Sequence, residues 1–232
     1  MSSRIQKKGK IVIVGDSAFA QIAYEYFTHD SMYEVAGFSV DKAFLTRKDL
    51  FGLPVVPFES IEERFSPDAF RIFIAITYTQ LNRLRERFYI QAKEKGYSPV
   101  SYVSSRAFVW RNVEIGENCF IFEDNTVQPF VKIGNNVVLW SGNHIGHHSV
   151  IKDHVFISSH VVVSGFCEVG EYCFLGVNAT IANNIKIAKN CLVGASATIL
   201  KDTDEGKVYG SAMTEPKAYS ALTYFGVKGD KE

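Results

Sequence analysis

Aliphatic side chains recur at every sixth position through the C-terminal half of this sequence. The series starts at Val109 and reaches Ile199 without an exception, and the residue two positions before each member is mostly small or β-branched, as at Cys119 and Val137. A six-residue period does not fit an α-helix, in which buried positions recur every three or four residues. A period held over about sixteen units predicts a parallel β-helix whose stacked coils bury one continuous aliphatic column.

The N-terminal third shows a different pattern, in which short apolar runs alternate with segments of helical periodicity. The runs KIVIV, YEVAGFSV, LPVVP and RIFIAI predict strands, and helices are expected after the first strand and near residues 59–65 and 79–95. Such alternation predicts a small parallel sheet in a Rossmann-like α/β subdomain. We therefore predict an α/β domain at residues 1–102, a β-helix at 103–202 and a C-terminal tail at 203–232.

The turn after the first strand reads GDSAFA and suits a nucleotide phosphate. Gly15 allows a tight turn there, and the free N–H groups at the start of the following helix can receive a phosphate. Ser17 and Ala20 stand where a dinucleotide fingerprint has its later glycines, so NAD is not expected. A plain α/β domain that only positions its neighbour remains an alternative.

Charge and hydropathy argue against several partners. Lys+Arg and Asp+Glu both number 25, so the chain has no net field to attract nucleic acid or an anionic membrane. No apolar run approaches the roughly 18 residues that span a bilayer, and the first residues lead into a strand and not into a signal sequence. We expect a cytoplasmic protein without a membrane span.

Five of the six histidines fall within seventeen residues. They are His144, His147, His148, His154 and His160. His147 ends its hexad, which places it at a corner, whereas His148, His154 and His160 open three successive hexads and are expected on three different faces. One chain is therefore not expected to gather them around a metal ion, although a trimer could combine histidines from two chains.

The repeat resembles that of the left-handed β-helix acyltransferases, in which three hexads make one triangular coil and residues eighteen apart stack on each other. On that geometry Gly165 lies one coil above His147. A neutral imidazole, with an ordinary pKa of about 6.5, can take a proton from an attacking amine or hydroxyl near pH 7. A bare glycine N–H beside it can donate to the oxyanion of a thioester as charge develops.

Nearly the whole chain also resembles the sugar acetyltransferase family that includes the bacillosamine-pathway N-acetyltransferases and the sialic-acid O-acetyltransferases. The resemblance implies a homotrimer that uses acetyl-CoA as co-substrate and needs no metal. It implies His147 as the catalytic base and the main-chain N–H of Gly165 as a contact of the acetyl carbonyl. His148 stands where family members often carry an acidic residue that orients the base, and Phe156 and Phe19 stand where they carry further histidines.

The same resemblance implies the remaining site residues. His147, His148 and Gly165 form the expected catalytic group. The nucleotide sugar is expected at Gly15, Asp16, Ser17, Asp41, Thr77, Tyr78 and His144. Acetyl-CoA is expected at Phe156, Gly165, Val177, Asn183, Ala195 and Lys201.

The expected reaction is acetyl transfer from acetyl-CoA to the amino group of a UDP- or dTDP-linked deoxyaminosugar, for cell-surface glycans such as lipopolysaccharide. O-acetylation of a sugar or sialic acid needs the same base and cleft, so the sequence leaves it open. A β-helix that binds without catalysis is a third alternative. Trimerisation is expected because strand positions such as Phe120, Trp140 and Phe174 would otherwise expose a large apolar surface.

Overall fold

The structure is a computed structural model that describes residues 6–212 and 215–227. Its first part is an α/β domain, with elements β1 (Gly9–Val14), α1 (Ala18–Asp30), β2 (Tyr33–Val40), β3 (Asp49–Leu50), β4 (Leu53–Pro57), β5 (Phe70–Ile74) and α2 (Arg83–Glu94). The sheet order is β3-β4-β2-β1-β5, and all neighbouring strands run parallel except the β3-β4 hairpin. The predicted Rossmann-like subdomain is confirmed.

The second helix begins later than its sequence pattern predicts. Helical periodicity starts near residue 79, but Gln80, Leu81 and Asn82 adopt left-handed φ angles of 55°, 49° and 64°. A right-handed helix cannot continue through that conformation, so α2 starts at Arg83. The helix expected near residues 59–65 is a short 3₁₀ segment, Phe58–Glu63, and a second one lies at Lys42–Phe44. In the described part of the chain, no helix is long and apolar enough to cross a lipid bilayer.

The second part is a left-handed parallel β-helix with three faces, which confirms the predicted fold class. The docked face consists of β6 (Tyr102–Val103), β9 (Phe120–Ile121), β12 (Val138–Leu139), β15 (Phe156–Ile157), β18 (Phe174–Leu175), β21 (Leu192–Val193) and β23 (Val208–Tyr209). The open face consists of β7 (Phe108–Val109), β10 (Thr126–Val127), β13 (His144–Ile145), β16 (Val162–Val163), β19 (Thr180–Ile181) and β22 (Thr198–Ile199). The charged face consists of β8 (Glu114–Ile115), β11 (Lys132–Ile133), β14 (Val150–Ile151), β17 (Glu168–Val169) and β20 (Lys186–Ile187). A four-residue helix, α3 (Ala221–Tyr224), lies in the C-terminal segment.

The aliphatic column predicted from the six-residue period forms the core of this β-helix. Every member from Ile121 to Ile199 is buried. Paired strands are eighteen residues apart, so Ile145 lies beside Val163 and Val127. The first coil already includes β6, which crosses the predicted boundary after residue 102, and β23 lies within the predicted tail.

The turns between faces explain much of the histidine cluster. One turn residue in each hexad has a positive φ: Asn118, Asp124, Phe130, Asn136, Gly142, His148, His154, His160, Phe166, Tyr172, Asn178, Asn184, Asn190 and Ser196. Asn, Asp and His enter this left-handed region more readily than most residues. The positive φ of these turn positions is therefore a structural reason for the presence of His148, His154 and His160, independent of any chemical role.

The α/β domain of the same chain covers the docked face, and this corrects the surface expected for trimerisation. Phe120 is fully buried, and its ring packs 5.5 Å from that of Phe19 on α1. Trp140 and Phe174 are partly buried against the same cluster. The expectation was wrong because it treated the β-helix as if no domain preceded it. The large apolar side chains left exposed near the other two faces include Phe108, Trp110, Phe130, Val162 and Phe166.

A fully buried arginine on α2 joins the two domains. The Arg85 guanidinium group donates hydrogen bonds to the carbonyl oxygens of Ile74, Asn118 and Asn136, at 3.3, 2.8 and 3.1 Å. Burial lowers the pKa of Arg85 to about 9, so the side chain keeps its charge near neutral pH. Two of the three carbonyls belong to turn residues of the β-helix, which places α2 firmly on that corner.

The same corner carries a ladder of side-chain hydrogen bonds. The N–H of Ile74 donates to Asn118 Oδ1 at 2.8 Å, and Asn118 Nδ2 donates to Asn136 Oδ1 at 2.7 Å. Asn136 Nδ2 then lies 3.0 Å from Nδ1 of His154. The other ring nitrogen of His154, Nε2, lies 3.4 Å from the Glu86 carboxylate. Since the amide donates to Nδ1, the proton of neutral His154 belongs on Nε2, toward Glu86. We call this set, residues 118, 136 and 154, the asparagine corner.

Candidate active site

His147 lies in the turn between the open face and the charged face. Its imidazole ring packs against Gly165 one coil above, as the eighteen-residue stacking predicts. A Cβ atom at Gly165 would lie 2.9 Å from His147 Cε1 and 3.0 Å from Nε2. Glycine at this position therefore provides the space that the imidazole occupies.

The main-chain N–H of Gly165 is not free in this structure, contrary to expectation. It donates to Asn183 Oδ1, one further coil above, at 3.0 Å. The same pattern recurs elsewhere: Glu117 N–H donates to Asn135 Oδ1 at 2.9 Å, and Asn135 N–H donates to Asp153 Oδ1 at 2.7 Å. The side chain eighteen residues ahead thus caps the turn N–H. An acyl oxygen can reach Gly165 N–H only by replacing Asn183.

His147 has two further polar contacts. Its own N–H donates to Gln128 Oε1 at 2.9 Å, because Gly165 has no side chain that could cap it. Its Nδ1 lies 3.2 Å from Nδ1 of His148, which occupies the position of the expected acidic residue. Sequence reasoning did not single out Gln128, whose offset of nineteen residues falls outside the stacking rule.

His148 is held between two aromatic rings. Phe130, one coil below, and Phe166, one coil above, stack on it with centroid distances of 4.6 and 4.8 Å and interplanar angles of 28° and 17°. The ring of Phe166 also meets the edge of His147 at 5.0 Å. Both histidines remain exposed to solvent.

The other histidines of the cluster lie apart from this pair. His144 projects from β13 on the open face, and the ring of His160 packs on Gly142 at a different corner. His154 is nearly buried in the asparagine corner, where desolvation lowers its pKa. Within residues 6–212 and 215–227, no three His, Cys, Asp or Glu side chains are grouped so that they could hold a metal ion.

Except for His144, which lies on the open face, the expected nucleotide residues gather at the carboxyl edge of the α/β sheet. Gly15 has a φ of 119°, and a Cβ there would lie 2.8 Å from the carbonyl oxygen of Ala75. Ser17 is the N-cap residue of α1, and its side chain makes no capping hydrogen bond, so the first N–H groups of the helix are available. Asp16 pairs with Arg47 at 3.2 Å.

Asp41 lies at the end of β2, as expected. It accepts a hydrogen bond from the N–H of Ala43 at 3.0 Å, and its other oxygen lies 3.7 Å from Arg87 on α2. Next to it is a small apolar cavity lined by Val14, Gly15, Val40, Phe44, Ile76 and Leu84. A flat, partly apolar group such as a nucleobase suits this cavity, with the carboxylate and guanidinium groups at its rim.

Tyr78 and Phe156 meet where the α/β domain faces the β-helix. The ring of Tyr78, which follows Thr77, lies 5.1 Å from Phe156 and 4.7 Å from Phe174. Phe156 is only 2% exposed. It therefore presents no face to acetyl-CoA in this conformation, contrary to its expected role.

Apart from Phe156 on the docked face, the expected acetyl-CoA residues lie at two different corners of the β-helix. Asn183 and Lys201 stack in the column of His147 and Gly165, between the open and charged faces. Val177 and Ala195 are exposed at the turn between the docked and open faces. The nucleotide edge lies beside the docked face. One chain therefore does not bring the His147 corner, Val177 and the nucleotide edge into a single cleft.

Comparisons with known proteins agree with this architecture. The family model described as bacterial transferase hexapeptide (six repeats) matches residues 112–147, 130–165 and 166–201. A perosamine N-acetyltransferase mutant from Caulobacter crescentus, solved with CoA and GDP-perosamine, is 24% identical, with a TM-score of 0.78 over 88% of this chain and 94% of its own. The acetyltransferase domain of PglB from Neisseria gonorrhoeae, solved with acetyl coenzyme A, is 20% identical, with a TM-score of 0.76 over 87% and 96%.

WeeI from Acinetobacter baumannii is a third similar structure, 21% identical, with a TM-score of 0.66 over 86% of this chain and 95% of its own. No curated protein sequence matches the chain. The similarity to these structures spans both the α/β domain and the β-helix, and the repeat itself is matched independently. Residues 112–201 match the bacterial transferase hexapeptide model, and the chain shares the fold of these solved acetyltransferase structures.

Proposed function

We propose that this chain is an acetyl-CoA-dependent N-acetyltransferase that acts on a nucleotide-linked aminosugar. The observation that carries the proposal is the packing of His147 on Gly165, because it places a proton acceptor beside a backbone N–H at an exposed corner. The similar structures support the substrate class, since they include complexes with CoA and GDP-perosamine and with acetyl coenzyme A. The reaction would serve cell-surface glycan synthesis in the cytoplasm.

The chemistry needs one base and one oxyanion donor. The amino nitrogen of the sugar attacks the thioester carbonyl carbon, and His147 Nε2 takes the proton that the nitrogen loses. The new C–N bond forms, the C–S bond breaks, and the CoA sulfur leaves as a thiolate that then takes up a proton. The carbonyl oxygen replaces Asn183 Oδ1 at the N–H of Gly165, which stabilises the charge that develops on it.

The nucleotide binds at the carboxyl edge of the α/β sheet. The uncapped start of α1 supplies N–H donors for a diphosphate, and the guanidinium groups of Arg47 and Arg87, paired with Asp16 and Asp41, supply further donors. The apolar cavity beside Asp41 accommodates the base. UDP and dTDP are the nucleotides expected from the sequence, and the perosamine complex adds GDP to the candidates.

A direct assay tests this function. The protein is incubated with acetyl-CoA and UDP-, dTDP- or GDP-linked aminosugars, and free thiol release is followed. We expect release with at least one aminosugar and a product stable to hydroxylamine, as an amide is. A hydroxylamine-labile product would indicate an ester and favour O-acetylation. No release with any acceptor, sialic acid included, would contradict an acetyltransferase role.

We expect a homotrimer of three times 26.0 kDa in solution. The open face and its margin expose apolar residues such as Phe108, Trp110 and Val162. A neighbouring copy would cover these residues. Its His147 corner would then lie near the nucleotide edge of the first chain, which is on a different side of the β-helix from that chain's own His147. Light scattering at micromolar concentration measures the mass, and a monomer active at that concentration would contradict a shared site.

Asp41→Asn is expected to raise KM for the nucleotide sugar and to leave KM for acetyl-CoA nearly unchanged. The amide still accepts the hydrogen bond from Ala43, so the local turn is retained, but the residue no longer offers a charged acceptor to the base or ribose of the nucleotide. Asp49→Asn in the β3-β4 hairpin is a matched control away from the carboxyl edge. Equal changes in both KM values would reject the division of substrates between the two domains.

Gly165→Ala is expected to lower kcat about tenfold or more. The added Cβ would lie 2.9, 3.0 and 3.3 Å from three ring atoms of His147, so the imidazole must move away from the acceptor. Gly210→Ala is a matched control, since nothing lies within 4 Å of a Cβ at that position. Steady-state kinetics check the effect. An unchanged kcat for Gly165→Ala would show that the position of the His147 ring is not critical.

A further inference from the structure

Two phenylalanines adopt a backbone conformation that their residue type disfavours, and both contact the same histidine. Phe130 and Phe166 have φ angles of 65° and 57°, and each is more than half exposed. Large side chains rarely adopt positive φ, and Asn fills the next position of this column, at residue 184. Burial within the chain does not explain these residues. What they have in common is the ring of His148, which lies between them.

The stack fixes the plane of an imidazole that is within hydrogen-bond distance of the proposed base. His148 Nδ1 and His147 Nδ1 are 3.2 Å apart, so one nitrogen must carry the proton and the other must accept it. If His147 donates from Nδ1, its Nε2 keeps a lone pair and can take a proton from an acceptor. If His148 donates, neutral His147 carries its proton on Nε2 and cannot act as a base.

We infer that His148, held between Phe130 and Phe166, is a positioning residue that accepts a hydrogen bond from His147 Nδ1 and so keeps His147 Nε2 free to act as the base. This inference rests on the proposed function. It assigns to a neutral histidine, held by two aromatic rings, the orienting task that a carboxylate can perform elsewhere. Phe130 and Phe166 then act through His148, and their unusual backbone conformation is explained by that task.

Two substitutions of His148 separate the hydrogen bond from the stacking. His148→Asn keeps an acceptor, because the amide oxygen takes the place of Nδ1, and Asn tolerates the positive φ. His148→Phe keeps the aromatic stack and removes the acceptor. We expect His148→Asn to retain kcat within about threefold and His148→Phe to lose about tenfold or more, with KM for acetyl-CoA unchanged in both. The reverse order would show that stacking alone matters and would overturn the inference.

The tautomer of His147 supplies a readout that does not depend on catalysis. Nitrogen-15 shifts of the imidazole ring are measured on the full-length protein without substrate, and the His147 signals are assigned by their loss in His147→Asn. We expect a proton on Nδ1 and a bare Nε2 in the wild type and in His148→Asn, with a shift toward protonated Nε2 in His148→Phe. A single tautomer in all three proteins would overturn the inference. Absence of acetyl transfer would reject only the proposed function.

Replacing the two phenylalanines tests whether their stacking on His148, which we call the clamp, matters for catalysis. In Phe130→Asn and Phe166→Asn the new residue suits the left-handed conformation, so the melting temperature should not fall. We expect kcat to fall about threefold to tenfold, because His148 loses one stacking partner. Light scattering on each variant identifies any change in assembly. An unchanged kcat in both variants, with an unchanged mass, would contradict a role for the clamp.

Discussion

His147→Ala should lower kcat about a hundredfold or more while acetyl-CoA binding changes little. Positioned general-base catalysis contributes about 10²–10⁴ to a rate, and His147 is the imidazole whose Nε2 lies against Gly165. The ring projects from an exposed corner, so its removal should not unfold the coil. Steady-state kinetics with acetyl-CoA titration separate the effect on turnover from the effect on binding.

The pH dependence identifies the base. In the wild type, the rate should fall as the pH drops through the range in which an imidazole takes up a proton, because a protonated ring cannot accept another. This limb should vanish in His147→Asn, and His29→Ala on α1 is the control at an exposed histidine outside the site. An unchanged limb in His147→Asn, or a loss below about tenfold, would mean that positioning alone drives the reaction.

Arg85→Met should be the most destabilising single change in the interface between the domains. The substitution removes the donors that serve three carbonyl oxygens while it keeps much of the side-chain volume. A buried polar group that loses its partner costs about 1–3 kcal/mol, so the free energy of unfolding should fall by about 3 kcal/mol or more. In a chain of this size the melting temperature should drop by about 6–12 °C.

Arg87→Met on the same helix is the matched control for stability. Its side chain is 51% exposed, pairs with Asp41 at 3.7 Å and lies over the ring of Phe88 at 4.9 Å, so the loss should stay near or below about 1 kcal/mol. Calorimetry and chemical denaturation measure both variants. Equal losses for Arg85→Met and Arg87→Met would show that the buried hydrogen bonds do not hold the two domains together.

Local periodicity and stacking predicted the fold and the contact between His147 and Gly165. The aliphatic series from Val109 to Ile199 defines the core, and a spacing of eighteen residues is enough to place Gly165 against His147. These features were predictable because each depends only on residues in neighbouring coils. The parallel direction of β1, β2, β4 and β5 also followed from the alternating apolar runs, whereas the strand order and the antiparallel β3-β4 hairpin were not predicted.

Contacts between distant segments were not predictable in the same way. Arg85 looks like any charged residue on a polar helix, and only the docking of α2 buries it. Phe120 looked exposed because nothing in the repeat shows that another domain covers one face. The hydrogen bond from Gly165 N–H to Asn183 Oδ1 was not predicted, because the eighteen-residue stacking was applied to the side chain of His147 and not to the turn N–H groups.

The asparagine corner also limits how this protein can gain or lose length. The α/β domain is attached to the coils that contain Asn118, Asn136 and His154, and the last of these lies in the same coil as His147. One extra coil inserted between Asn118 and His147 would move the histidine about 4.8 Å along the axis and so change its distance from the α/β domain. An extra coil after Lys201 would leave both the attachment of the α/β domain and its distance from His147 unchanged. Relatives and engineered variants can therefore extend this β-helix at its C-terminal end while the geometry of the site is preserved.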